Sequence, residues 1–85
     1  MNKNIMQLFK VEERKYLQHY KIIYQEYIEA QNSNDYRTPE KKMQFLQYKR
    51  GQVVEAGYLL KSVFNYIDSD LEDIERQIER RYLME

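Results

Sequence analysis

The chain has 85 residues, with 14 Lys and Arg balanced by 14 Asp and Glu, no Cys, no Trp and nine Tyr. That length allows a single domain whose narrow core removes roughly two-thirds of the extended-chain surface from water. Without cysteine there is no disulfide, no thiolate zinc site and no cysteine nucleophile, and zero net charge argues against a dedicated nucleic-acid binder. The charges are nonetheless unevenly placed. Residues 1–50 carry ten Lys and Arg against six Asp and Glu, a balance of +4, and residues 51–85 carry four against eight, a balance of −4. No apolar run is long enough to span a membrane, and the region after Met1 lacks the apolar core of a signal peptide. The expected localisation is cytoplasmic, with no membrane association.

The first predicted element is a helix over residues 4–31. Met6, Phe9, Tyr16, Tyr20, Ile23, Tyr27 and Ala30 recur at steps of three, four or, across Glu13, seven residues, the period of a helix and not of a strand. Leu17, Tyr24 and Ile28 widen that stripe. Residues 32–38 read as a turn, because Asn, Ser and Asp side chains compete there with helical hydrogen bonding. Thr38-Pro39 then marks a helix start, with Thr as N-cap and Pro at the first helical position, where an N–H has no partner to lose.

From Pro39 the pattern is a heptad seam. Leu46, Val53, Leu60, Ile67 and Ile74 form one register, and Met43, Arg50, Gly57, Phe64, Leu71 and Ile78 form the other. A second helix is predicted over 39–67, continuing through the "YKRGQ" stretch at 48–52 because the seam keeps its phase across Gly51. Folded antiparallel about a turn near residue 35, the two helices would set Ile23 against Leu46, Tyr16 against Val53, Phe9 against Leu60 and Asn2 against Ile67. In that register Arg50 faces Tyr20 and His19, and Gly57 faces Glu12 and Glu13.

The seam runs on past the end of this pairing, through Leu71, Ile74 and Ile78. Burying each of these is worth about 1.5–3 kcal/mol, so something must cover them. Ser69-x-x-Glu72 and Asp70 offer helix-capping chemistry, and the acidic-to-basic polarity of residues 70–81 suits an independent helix. A third helix is therefore predicted over 70–84. The expected fold is all-α: an antiparallel helical hairpin plus a C-terminal amphipathic helix, completed as a three-helix bundle or as a coiled-coil dimer.

Little here carries catalytic chemistry. Asp68-x-Asp70-x-Glu72 with Glu79 resembles a calcium loop, but Asp73 stands where the sharp turn requires Gly. His19 is the single histidine and has no metal-ligand spacing around it, and there is no Gly-rich phosphate loop or nucleophile elbow. The chain is expected not to be an enzyme and to need no metal or cofactor.

What remains is recognition. Tyr is enriched in interface hot spots, and Tyr16, Tyr20, Tyr24 and Tyr27, with Leu71, Ile74 and Ile78, are the expected partner-binding surface. The expected function is a small protein-binding regulator, inhibitor or adaptor that self-associates, with a dimer favoured. One alternative is a dimeric nucleic-acid-binding accessory protein using Arg37, Lys41, Lys42, Lys49 and Arg50, which lie among Tyr36, Phe45 and Tyr48. A second is a structural assembly subunit. The Lys, Asn, Ile and Tyr bias suits a bacterial or phage accessory protein.

Overall fold

The computed structural model describes residues 3–33 and 38–84. They form three helices: α1 over Lys3–Gln31, α2 over Pro39–Phe64 and α3 over Asp68–Met84. The bundle is elongated, 55 × 26 × 19 Å, as a helix of 29 residues rising about 1.5 Å each would require. α1 is the central element. It packs along both α2 and α3, which meet each other less extensively, with Leu71 against Gly57 and Asp68 paired with Lys61. Of the two expected alternatives, the chain takes the three-helix bundle, and α3 folds back to run parallel to α1.

Each helix end has a local cause. Asn32 closes α1, with its side-chain amide donating to the Ile28 carbonyl at 2.9 Å. Thr38 has extended backbone (φ −137°, ψ 151°) and its side chain accepts from the Lys41 N–H at 3.2 Å, with Pro39 next in line. Replacing Thr38 with Ala is expected to cost about 1 kcal/mol, measured by urea unfolding, because the Lys41 N–H loses its partner.

α2 ends at Phe64, earlier than the predicted residue 67. Asn65 adopts the left-handed conformation (φ 62°, ψ 27°), which Asn tolerates better than most residues, and its N–H turns back to the Leu60 carbonyl. The Tyr66 N–H does the same at 3.2 Å. α3 correspondingly starts at Asp68 and not at residue 70. The Asp70 carboxylate reaches back to accept from the Ile67 N–H at 3.0 Å, which is the return half of a capping box. Asp68 instead pairs with Lys61 of α2 at 2.8 Å, across the turn.

The core is formed by Tyr20, Ile23, Tyr24 and Ile28 of α1, Val53, Ala56, Leu60 and Phe64 of α2, and Leu71 of α3. The expected α1–α2 pairing is corrected by about one heptad. Phe64 packs on Phe9 and Tyr16, with ring centroids 5.0 and 5.5 Å away. Lys49 pairs with Glu26 at 2.7 Å. Gly57 meets Tyr20 and Leu71, not Glu12 and Glu13: a Cβ added there would lie 3.4 Å from the Tyr20 ring and 3.2 Å from Leu71 Cδ1. Arg50 is exposed and does not face Tyr20. The expected Asn2 contact lies outside the described residues.

The physical reason is that sliding a heptad seam by seven residues preserves its phase, so periodicity is blind to the shift. Side-chain size is not. The Tyr20 ring, 1% exposed, takes the space that the missing Gly57 side chain leaves.

Gly51 is different. Nothing lies within 4 Å of a Cβ built on it, and no contact within the chain explains it. Gly51→Ala is expected to stabilise the folded chain by about 0.5–1 kcal/mol in a thermal melt, since Gly in a helix interior costs that much relative to Ala.

Candidate interaction surface

The tyrosine stripe is divided by the fold. Tyr20 and Tyr24 are buried between α1 and α3, Tyr27 is half-buried, and Tyr16 stays partly exposed against Phe64. Leu71 is buried, and Ile74 and Ile78 are half-buried on the same core. Tyr20, Tyr24 and Leu71, expected on the partner surface, are buried in the core of the bundle, where they hold the chain's own third helix. Their cover is α1.

A ladder of phenol–carboxylate hydrogen bonds ties α1 to the parallel α3 and to the turn that leads into it. Tyr66 Oη donates to Glu13 Oε1 at 2.9 Å, Tyr20 Oη to Glu75 Oε1 at 2.8 Å, and Tyr24 Oη to Glu79 Oε1. The last two rungs are four residues apart on both helices, so they repeat once per turn. Burial and the adjoining carboxylates push all three phenols above their ordinary range, Tyr66 to about 12. Each phenol keeps its proton and remains a donor, and each buried ring has its polar end satisfied.

Lys49 is drawn in toward Glu26 and sits 5.7 Å from the Phe45 ring centre. Lys41 and Arg50 are exposed, Lys42 is half-buried, and Arg37 lies outside the described residues. Among the described residues no group of three or more His, Cys, Asp or Glu comes together that could hold a metal ion, and no helix is long and apolar enough to cross a membrane. His19 borders a small cavity of about 150 Å³ beside Ile23, Gln52 and Ala56. Gln52 Oε1 is buried there without a protein partner, while Gln52 Nε2 donates to the Tyr48 hydroxyl at 3.2 Å. The cavity has room for ordered water, which such an oxygen ordinarily takes.

The unpaired side of the bundle is the α2–α3 groove. Because α1 holds both helices but they do not close on each other, a space of about 270 Å³ stays open between them. Val53, Gly57 and Leu71 floor it, Val54, Tyr58 and Lys61 rim it on α2, and Glu75 borders it on α3. Val54 and Tyr58 are each 64% exposed. Reading only the heptad seam missed both, since each lies one position beyond it. The available signal was the spacing of Val54 and Tyr58, apolar residues one helical turn apart on a second stripe of α2. No protein-family model, curated protein or solved structure matches this chain.

Proposed function

We propose that this protein is a small helical protein-binding module, acting as a regulator, inhibitor or adaptor, and that its binding surface is the α2–α3 groove. One observation carries the reading: a three-helix bundle in which one pair of helices stays apart, with exposed Val54 and Tyr58 over an apolar floor. Large apolar side chains gathered beside a groove mark interaction sites more often than isolated ones do. An amphipathic helix laid between α2 and α3 would complete a four-helix arrangement, a recurrent mode of helix-in-groove recognition.

A photo-crosslinking residue placed at position 58 tests this in the producing cell, with the same residue at position 15 on the far face of α1 as reference. Defined protein adducts at 58 and none at 15 are expected. Equal adducts at both positions, or none at 58, would sink the reading.

A further inference from the structure

We infer that α3 is a strap that swings out as a unit about the Tyr66–Ile67 link while the α1–α2 hairpin stays folded. The link lies between two caps, each closed within its own end of the turn. On the α2 side, the Asn65 and Tyr66 N–H groups both turn back to the Leu60 carbonyl. On the α3 side, the Asp70 carboxylate accepts from the Ile67 N–H at 3.0 Å, and the Asp70 N–H donates to the Ile67 carbonyl at 3.0 Å. Rotation between Tyr66 and Ile67 therefore breaks neither cap. Ile67 itself is 61% exposed, so little packing around it resists the movement. A short link between intact elements that absorbs a backbone rotation is what a hinge requires.

What holds α3 is largely of a kind that water can replace. α2 buries Val53, Ala56, Leu60 and Phe64 in the core, whereas Leu71 is the buried residue of α3, with Ile74, Ile78 and Tyr82 half-buried beside it. The hydrogen bonds from Tyr66 to Glu13, Tyr20 to Glu75 and Tyr24 to Glu79 supply the rest. When α3 leaves, each of these phenols and carboxylates returns to water, so no polar group is stranded and the net cost per bond is small. The Lys61–Asp68 pair is exposed on both sides and adds little. Units held this way open below the free energy of global unfolding. Opening lifts Leu71 off Gly57 and bares the Tyr20 and Tyr24 rings, so that the narrow α2–α3 groove becomes a broad aromatic face of the hairpin. The hinge is argued from caps and packing, and holds whether or not the groove binds a partner.

Backbone hydrogen exchange, followed by NMR on the full chain, tests this. Amides of residues 71–78 are expected to be protected at least about tenfold less than those of residues 53–60. Two variants distinguish opening of α3 from unfolding of the whole chain. Ile23 lies beside Gln52 and Ala56 of α2, a contact that the open form keeps. Ile23→Val is therefore expected to lower protection of residues 53–60 about two- to tenfold and to leave residues 71–78 unchanged. Tyr24→Phe removes one rung of the ladder and is expected to lower protection of residues 71–78 about fivefold. Unchanged helical circular dichroism confirms that each variant is folded. Equal protection of the two segments in the wild-type chain overturns the inference. So does an Ile23→Val loss at residues 71–78 that matches the loss at residues 53–60, or a Tyr24→Phe variant with residues 71–78 unchanged.

Discussion

Leu60→Ala is expected to remove about 2–5 kcal/mol of folding stability, a large share of what a domain of this size has. Leu60 is 0% exposed and lies at the centre of the core cluster. The cost has two parts: the lost transfer of the side chain from water, and a cavity that flanking residues close only in part. An 85-residue domain has only about 4–13 kcal/mol in total at the usual 0.05–0.15 kcal/mol per residue. The variant should therefore melt about 8–40 °C lower, at roughly 4–8 °C per kcal/mol for a domain of this size. Leu8→Ala on the exposed face of α1 is the control and should stay within about 0.5 kcal/mol of wild type. Thermal melts followed at the helical band compare the two, and a Leu60→Ala melt matching the control would contradict the assigned core.

The second large effect is expected at alkaline pH. Tyr20, Tyr24 and Tyr66 hold their protons to higher pH in the fold than in the unfolded chain, because burial and then the carboxylate acceptors disfavour the phenolate. A raised value in the fold means that the stabilisation is complete below the unfolded value near pH 10. It is lost as pH rises from there through the folded value, which for Tyr66 is about 12. In that window the unfolded chain releases protons that the native chain retains. Stability should then fall by up to about 1.4 kcal/mol per pH unit for each of the three groups. The combined Tyr20→Phe, Tyr24→Phe and Tyr66→Phe variant should lose about 1 kcal/mol per hydrogen bond at neutral pH yet show a much shallower alkaline decline. Urea midpoints measured between pH 8 and pH 12 decide this. An unchanged alkaline slope in the triple variant would show that the ladder does not hold α3.

These two expectations concern different interfaces. Leu60 reports on the α1–α2 hairpin, built from apolar volume. The phenol ladder reports on the α1–α3 contact, which is narrower and adds polar bonds to a smaller apolar seam. α3 is thus the more weakly held helix: it meets α2 through Leu71 on Gly57 and Asp68 on Lys61, and the groove beside these contacts stays open.

Several features were legible from residue order alone, because they depend on neighbours a few positions apart. Apolar spacing determined that the chain is helical, and Thr38-Pro39 determined where α2 starts. The chemistry of Asp68–Asp70 pointed to a separate third helix, although Asn65 and Ile67 placed its boundary two residues earlier. The α1–α2 register was decided only in three dimensions. A heptad seam is unchanged by a seven-residue slide, so the choice fell to volume: Tyr20 fits over Gly57, and Phe64 fits between Phe9 and Tyr16. The same holds for which aromatics are spent inside. Tyr20 and Tyr58 look alike along the chain, but one meets a carboxylate on a returning helix and the other meets water. That difference depends on where α3 lies, and no local pattern encodes it.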